Sequence, residues 1–415
     1  MANSLLTNSI ITKKCLAQLK NKLSFTKNVN KEYSSEFAQK GAKVGNTINI
    51  RKPDRYEVTS GAALVIQDSV NRSIPLVLDQ HKHVGMAFSE VDRTLSLDKF
   101  TELFIDPAVS AIANAVDAAC LAAAYKKIYN CVGVPSATVY PSTLKGFTQA
   151  KAKIAMGGGN IDALTALVNP DVEASLVEGL KGLFQSSEQI KKQYEDGIMG
   201  YAAGSKFMMS QNMPMHTIGN TVGTPLTNYP SAYVAGSTTL ATDGWTNDTT
   251  GVLKAGDVIT IAGVYAVNPQ TRQSTGALAQ FVVQADVNSG ASTGPANITL
   301  DRGMYASGKM QNVDALPADG AAIKTFGEVT SLKLIQHPQS LVFHKSAFAL
   351  GCADFELPDA GVKASRAVDP ESGLSLSMCS QCDIVNYRTI HRLDFLFGFE
   401  TVYADMAARV VGQPA

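Results

Sequence analysis

The sequence predicts a mixed α+β protein with an all-β segment inserted near its middle. Three patterns lead to this prediction: a long amphipathic helix that begins at Asp106, mixed helical and strand periods on either side of it, and a stretch from 217 to 330 in which helical periodicity almost disappears. Because the α/β pattern stops before this stretch and resumes after it, we expect an insertion that leaves from a surface loop with its ends close together.

The first 45 residues are predicted to form an extended or partly helical N-terminal arm. Residues 1–60 contain nine Lys and two Arg, against one Asp and three Glu. The few aromatic residues there are not interleaved with the basic ones, as a platform for stacking nucleic-acid bases would require. We therefore expect a solvated, mobile arm instead of a dedicated nucleic-acid site.

Residues 46–90 are predicted to form a long β-hairpin. Residues 47–51 alternate in polarity, and after a polar tip the chain continues with a second β-rich run, IPLVLDQHKHVGMAF. A two-stranded hairpin of this length cannot bury both of its faces on its own chain. It therefore invites contact with another molecule.

The segment 91–130 is dominated by the predicted long helix. Asp106 can cap this helix, and Pro107 suits its first position because the missing N–H is not needed there. Its apolar residues recur every three or four positions, at Val109, Ile112, Val116, Cys120 and Ala123. A helix of about 24 residues would span ~36 Å, which is typical of a structural spine.

The rest of the chain divides into three predicted parts. Residues 131–216 have an α/β pattern, and residues 331–415 return to a mixed pattern that ends in β-rich sequence. Between them, residues 217–330 contain short β runs separated by turn residues, which indicate a small barrel or sandwich. One of these runs is GDVITIAGV, with a predicted turn at Gly256 and Asp257 before the strand.

Composition argues against several classes of protein. The 415 residues include 36 basic and 36 acidic side chains, so the formal net charge is zero and gives no general attraction to nucleic acid or membrane. No signal peptide is expected, because the basic residues follow the mildly apolar start, and no apolar run approaches the ~20 residues of a spanning helix. The six scattered cysteines indicate a reducing cytosol and not a disulfide framework.

Two short motifs contain residues capable of chemistry. Cys379 and Cys382 form a CxxC, but it lies between two β-patterned runs and not at the start of a helix, and no second pair completes a zinc site. His81 and His83 share one face of a predicted strand and could supply half of a metal site, although no further ligand cluster is close in sequence. We expect two incidental thiols and a solvated strand face.

The remaining candidates are expected to be structural. Gly157-Gly158-Gly159-Asn160 lacks the Lys-Ser/Thr of a phosphate loop and should stop a helix. The methionines at 208, 209, 213 and 215 are expected in a core or a contact surface. The sequence thus predicts no catalytic, cofactor-binding or metal-binding residue, no cofactor and no enzyme. It favours an assembly protein that works by burying surface between its own copies.

Several stretches resemble the major capsid (coat) proteins of tailed phages with the Hong-Kong-97-type fold. IPLVLDQHKHVGMAF before the acidic-start helix is similar to the second strand of the hairpin, called the E-loop, that runs into the spine helix. LVFHKSAFAL is similar to the strand-to-helix segment that commonly follows the apical domain. DIVNYRTIHRLDFLFGFETVYADMAARV is similar to the closing strands of the peripheral domain. In order, GFTQAKAKIAMGGGN, ALVNP, DGIMGYAAGSKFMMSQNMP and KAGDVITIAGV resemble the coat-protein family of the Salmonella short-tailed phage P-22.

The resemblance implies a Hong-Kong-97-type fold with an inserted all-β barrel domain. The implied order is an N-terminal arm (1–45), the E-loop hairpin (46–90), the spine helix of the peripheral domain (91–130), the first part of the apical domain (131–216), the inserted domain (217–330), and the apical remainder with the closing peripheral strands (331–415). In that family a loop early in the inserted domain bridges capsomers; the matching region here, about 224–238, is short and nearly uncharged.

The function implied by the resemblance is that of the major capsid protein of a double-stranded DNA tailed bacteriophage. Such a protein assembles in the bacterial host cytoplasm as pentamers and hexamers and becomes the icosahedral capsid of the virion. The implied partners are other copies of the chain, a scaffolding protein, a portal protein and packaged double-stranded DNA, which is bound non-specifically at the inner face. A decoration protein is a further option, and no membrane is involved.

Three alternatives stay open at this stage. An encapsulin-like nanocompartment shell shares the fold, although such shells usually lack an inserted β domain. A CxxC-dependent oxidoreductase would use Cys379 and Cys382. A secreted β-rich adhesin would need an export signal, which the sequence does not show.

Overall fold

The computed structural model describes the mixed α+β fold of residues 8–33, 45–59, 61–62, 64, 66–69, 71–89, 105–180, 200–229, 232–326, 333–358, 361–369, 373–385 and 388–413. Two units are distinguished by their internal contacts. Unit 1 comprises Met1–Ile50, Ser73–Leu121 and Phe348–Val402. Unit 2 comprises Arg51–Arg72, Ala122–Ala347 and Tyr403–Ala415.

The helices of the described ranges are α1 (Asn8–Lys22), α2 (Asp106–Ala124), α3 (Lys145–Met156) and α4 (Pro170–Leu180). Short 3₁₀ turns occur at Thr26–Asn28, Tyr125–Lys127, Lys345–Ala347 and Ala404–Met406. The predicted stop of α3 is confirmed, because the N–H of Gly157 donates to the carbonyl of Lys153 at 3.0 Å and that of Gly159 to Ile154 at 2.9 Å.

Helix α2 begins at Asp106, as predicted. Its stripe of Val109, Ile112, Val116 and Cys120 is at most 1% exposed. The stripe continues through Leu121 and Ala124, which are fully buried, whereas the predicted Ala123 faces outwards.

The expectation that no apolar run could span a membrane needs one correction. Within the described residues, the helical stretch Asp106–Lys127 is long and apolar enough by length and composition, with a mean hydropathy of 1.5. More than half of it is buried inside the protein, and it contains the fully buried carboxylate of Asp117. Both features are typical of the core helix of a globular protein.

The β-strands are numbered in chain order. Those lying in or entering unit 1 are β1 (Thr47–Lys52), β2 (Arg72–Val77), β3 (Gln80–Ser89), β18 (Phe348–Cys352), β19 (Lys363–Val368), β20 (Ser375–Asp383) and β21 (Arg388–Thr401). β1 pairs with β2, and the others form one sheet around the long β21. β3 pairs antiparallel with β21 over ten consecutive residue pairs, from Gln80–Phe397 to Ser89–Arg388.

The structure corrects the predicted solvated, mobile arm for residues 8–33. Helix α1 packs on β19 and β20, and its Leu16 and Leu19 are 6% and 1% exposed. Lys20 forms an ion pair of 2.9 Å with Asp369. The arm prediction failed because the apolar residues of α1 recur at a helical spacing that was obscured by the lysines between them.

Unit 2 contains the other strands, and its largest sheet has the order β4-β22-β17-β6-β8-β7. The members of this sheet are β4 (Cys131–Val132), β6 (Leu164–Val168), β7 (Tyr201–Ala202), β8 (Ser205–Met209), β17 (Ser340–Phe343) and β22 (Ala407–Val410). β6 and β17 are buried along their whole length, as expected of central strands covered on both faces. β5 (Val134–Pro135) pairs separately with β23 (Gly412–Gln413).

The middle of unit 2 is built from β-strands. Two three-stranded sheets have the orders β10-β11-β14 and β13-β12-β15. Their strands are β10 (Gly223–Thr227), β11 (Thr239–Trp245), β12 (Val258–Val267), β13 (Ser274–Val282), β14 (Ala296–Thr299) and β15 (Ile323–Thr325). The buried apolar side chains between Tyr233 and Ile323 form one core cluster of their own, which includes Trp245 and Phe281.

The two ends of this β-rich stretch are paired. β9 (Met215–Thr217) runs antiparallel to β16 (Gln336–Pro338), so Thr217 lies opposite Gln336 and His216 opposite His337. The chain therefore enters and leaves the stretch at adjacent positions, which is the geometry expected of an insertion.

Candidate functional site

A buried carboxylate of α2 anchors the N-terminal segment. Asp117 is 1% exposed. Its Oδ2 accepts from the backbone N–H of Ser24 (2.7 Å), the hydroxyl of Ser24 (2.9 Å) and the N–H of Phe25 (3.2 Å). Its Oδ1 accepts from the N–H (3.0 Å) and the hydroxyl (2.7 Å) of Thr26. Five donors around one carboxylate fix the chain after α1, since hydrogen bonds to charged acceptors are the strong ones.

The same segment is also tied to the sheet of unit 1. The ring of Phe25 lies 5.3 Å from that of Phe348 and 5.7 Å from that of Phe399. The N–H of Asn30 donates to the carbonyl of Phe348 at 3.1 Å, and the N–H of Leu350 donates to the carbonyl of Asn30 at 2.9 Å. We call residues 23–30 the anchored segment. Sequence reasoning missed it, although Asp117 lies four residues from the buried Ala113 and Leu121, which could have indicated a buried acid.

A second buried polar cluster lies where the β-rich stretch of unit 2 begins. The carboxylate of Asp257 accepts from the N–H of Lys254 (2.7 Å) and of Gly219 (3.1 Å), and its Oδ1 lies 2.8 Å from Nε2 of His216. Asp257 and His216 are 2% and 5% exposed. Asp257 therefore closes the predicted turn and joins it to β9.

Arg409 of β22 completes this cluster. Its guanidinium is 1% exposed and donates to the carbonyl of Gly256 at 2.9 Å and to Oε1 of Gln339 at 3.3 Å. Gln339 in turn lies 2.7 Å from Nε2 of His337. Burial, assisted by the neighbouring His216 and Arg409, lowers the pKa of His337 to about 3, so this imidazole is neutral at physiological pH.

A cavity in unit 2 has a volume of about 520 Å³ and a mixed lining. Two of the cations that line it are already engaged. Lys153 donates to the carbonyl of Cys131 at 2.7 Å and to Oε1 of Gln280 at 2.8 Å, and the guanidinium of Arg302 lies over the ring of Tyr129 at 3.4 Å. We find no nucleophile paired with a base among the residues that line it.

Large apolar side chains are exposed between β1 and β2. Tyr56, Val58, Leu64 and Ile66 are 67%, 95%, 87% and 83% exposed. Exposed apolar side chains grouped in one segment are typical of a surface that meets another protein molecule. The hairpin is shorter than predicted, because β1 pairs only with β2, whereas Gln80–Ser89 forms β3 and pairs with β21. The exposed tip between β1 and β2 still agrees with the predicted need of the hairpin for a partner.

The structure places the predicted thiol pair on a strand. Cys379 and Cys382 both belong to β20 and are unpaired thiols, with Cys382 exposed. Burial and then the nearby Asp394 raise the pKa of Cys379. A reactive thiol needs a lowered pKa, so this environment does not activate Cys379.

The predicted histidine pair is joined by a third residue. His81 and His83 are exposed on β3, and Asp394 of β21 lies beside them, with its Oδ1 2.8 Å from Nε2 of His81. The candidate methionines do not form one group: Met213 is 5% exposed, whereas Met209 and Met215 are 57% and 45% exposed.

Comparison with known proteins decides the family. The model of the family described as "P22 coat protein - gene protein 5" matches residues 1–412. The chain belongs to this coat-protein family. It is the major capsid protein of a tailed phage and forms part of the virion capsid, and the encapsulin alternative is not favoured. No curated protein sequence matches the chain.

Several solved structures are similar to this coat protein. The chain titled "Mycobacterium phage Che8" is 11% identical with a TM-score of 0.43, over 94% of this chain and 90% of that one. The cyanophage P-SCSP1u capsid is 10% identical with a TM-score of 0.41, over 88% and 83%. The mature capsid of bacteriophage PhiM1 is 11% identical with a TM-score of 0.39, over 89% and 83%. With TM-scores below 0.5 these likenesses support no further argument, and the family assignment depends on the family model.

Proposed function

We propose that this coat protein has the Hong-Kong-97-type fold and assembles as pentamers and hexamers into an icosahedral shell around double-stranded DNA. The coat family and the self-association of its members are the basis for this proposal. The order of the elements supports it, since β1–β3 precede the long helix α2 and the sheet of unit 1 closes with β18–β21.

The observation on which the proposal most depends is the exposed apolar tip between β1 and β2. A monomer that presents Val58, Leu64 and Ile66 to water loses the free energy of burying them, roughly 1.5–3 kcal/mol for each side chain. We propose that the E-loop hairpin of residues 46–90 recovers this free energy by lying over a neighbouring subunit. Repeated around a shell, such contacts need not be individually strong.

We further propose that residues 217–330 form an inserted β-barrel domain. Three features support this division: the pairing of β9 with β16, the two three-stranded sheets, and the separate core cluster. The other proposed divisions are those named from the sequence, namely the arm (1–45), the spine segment (91–130), the first apical part (131–216) and the closing part (331–415). The proposed work of the protein is structural and not enzymatic.

The proposed partners follow from this role. A scaffolding protein and a portal would act with the coat protein in the host cytoplasm, and a decoration protein would bind outside. Contact with packaged DNA would be non-specific, through phosphate. The exposed Lys13, Lys14 and Lys27 are candidates for that contact, because phosphate contacts require only positive charge.

The test is assembly of the full-length protein, expressed alone and together with a scaffolding protein, followed by negative-stain microscopy and sedimentation. We expect uniform shells from the natural sequence and loss of shells from the triple variant Val58→Ser/Leu64→Ser/Ile66→Ser. The triple variant should stay folded, because these side chains are exposed in the monomer.

Val139→Ser is the matched control, since Val139 is apolar and 53% exposed but lies outside the hairpin. It should assemble normally. A natural protein that remains a monomer under every condition would overturn the proposed function. Normal shells from the triple variant would overturn the role of the hairpin tip alone.

A further inference from the structure

The pairing of β3 with β21 brings three metal-ligand side chains to one face of the sheet of unit 1. His83 lies directly opposite Asp394, and His81 lies opposite Leu396, two positions along. Residues two apart on a strand face the same side, and directly opposed residues have Cβ atoms about 4.5–5.5 Å apart. His81, His83 and Asp394 therefore form one cross-strand triangle.

We propose that His81, His83 and Asp394 bind a divalent transition-metal ion, with Zn²⁺ as the representative. One ligand atom from each residue lies within 4.8 Å of the other two. Ligand atoms around a tetrahedral Zn²⁺ lie roughly 3.4 Å apart, given bonds of about 2.0–2.2 Å, so a small rotation of the exposed imidazoles closes the site. Two imidazoles and one carboxylate suit Zn²⁺ and similar ions better than Mg²⁺ or Ca²⁺.

Strand pairing holds the backbone of the three ligands in place. β3 and β21 are joined by a continuous ladder, which fixes the separation of the three Cα atoms. The ring of Phe355 lies 5.0 Å from the ring of His81 and limits its motion, and the His81 and His83 rings are 5.8 Å apart. Such a supported pair loses less side-chain entropy on binding than two free surface histidines would.

Arg392 is the competitor for the carboxylate. Its Nε donates to both oxygens of Asp394, at 2.8 and 3.0 Å. The guanidinium side chain is 48% exposed, whereas that of Asp394 is 10% exposed, so the arginine can turn towards water while the carboxylate stays in place. A bound cation would share Asp394 with Arg392 or displace it, and Arg392 should therefore weaken binding.

The consequence is a metal link between two paired strands of the unit 1 sheet, β3 and β21. Three protein ligands leave one position of a tetrahedral ion open, for water or for a side chain of another molecule. Sequence spacing could not reveal the site, because Asp394 comes from a distant strand that only the fold brings beside the histidines.

The test is isothermal titration of the tag-free, chelator-treated full-length protein with ZnCl₂ at pH 7.5. We expect one saturable site per chain in the natural sequence. His83→Gln should weaken binding about tenfold or more, a loss seen even when outer-shell partners of a metal are removed. Arg392→Gln should bind more tightly than the natural sequence. Visible spectra with Co²⁺ should show d–d bands in the natural sequence that are lost in His83→Gln.

Lys82→Gln is the matched control, because Lys82 belongs to the same strand but its side chain lies on the opposite face. It should bind Zn²⁺ as the natural sequence does. Absence of a saturable site, or equal affinity in the natural sequence and His83→Gln, would overturn the proposal. His83 is exposed, so this variant should fold, and the test does not depend on shell formation.

Discussion

Replacing Asp117 should release the anchored segment from α2. The carboxylate accepts five hydrogen bonds, three of them from backbone N–H groups. Phe25 and Thr26 are buried, so water cannot replace the carboxylate as the acceptor of their N–H groups. In Asp117→Ala the backbone N–H groups of Phe25 and Thr26 lose their acceptor, at about 1–3 kcal/mol each. With the partly buried Ser24 donors added, we expect about 4 kcal/mol of destabilisation.

The isosteric variant Asp117→Asn separates the contributions. Its amide keeps one acceptor oxygen, which can serve Ser24 and Phe25, while its NH₂ faces the Thr26 N–H in place of Oδ1. The hydroxyl of Thr26 can rotate to accept, so one backbone donor is left without a partner. We expect a loss of about 2 kcal/mol, half that of Asp117→Ala.

The assay is hydrogen exchange followed by mass spectrometry on the full-length monomer, with denaturant unfolding beside it. Peptides that cover residues 23–30 should exchange faster in Asp117→Ala than in Asp117→Asn, and slowest in the natural sequence. Asp79→Asn, at an exposed acid of unit 1, is the control and should change nothing measurable. Equal exchange of these peptides in all four proteins would refute the anchoring argument.

Three further predictions concern unit 2 and the thiols. Gly256→Ala should destabilise the monomer by about 2–4 kcal/mol in denaturant unfolding, because Gly256 has a φ of +106° and a Cβ there would lie 2.9 Å from a ring carbon of Tyr125; an unchanged midpoint would contradict this. His337→Gln should flatten the pH dependence of stability: below the ordinary pKa of 6.5 the unfolded chain takes up a proton that the folded chain refuses down to about pH 3, so the natural sequence loses up to about 1.4 kcal/mol per pH unit in that window. An equal loss of unfolding free energy in the two proteins between pH 7 and pH 5 would show the idea to be wrong. Cys379→Ser/Cys382→Ser should assemble normally, and shells lost only in this double variant would restore a role for the thiols.

The sequence predicted those parts of the fold that depend on local periodicity. The start of α2 and the turn before β12 both follow from short-range patterns that survive in the structure. Part of the arm was correctly predicted as helical, but its solvated, mobile character was wrong for residues 8–33, because the charge count gave more weight to the lysines than to the helical apolar spacing. Local patterns identify elements, but they do not show which elements pack together.

The candidate sites illustrate the same limit. His81 and His83 were identifiable as a pair, yet Asp394 belongs to a strand whose register with β3 no sequence spacing encodes. Asp117 was visible as an acid within an apolar helix, but its five donors come from a segment about ninety residues earlier. The exposure of apolar side chains such as Val58 also cannot be predicted from sequence patterns, since only the folded structure shows which apolar side chains remain in contact with water.

The pairing of β9 with β16 has a consequence for evolution and engineering. Because Thr217 and Gln336 are neighbours across a two-stranded ladder, the chain between them starts and ends at adjacent points of unit 2. We expect changes in the length of that stretch to leave the spacing of its two ends unaltered, provided that its contacts with Arg409 and Lys153 are kept. A foreign domain whose termini are adjacent should be accepted between Thr217 and Gln336, which makes this pair of positions suitable for attaching a foreign protein to a shell.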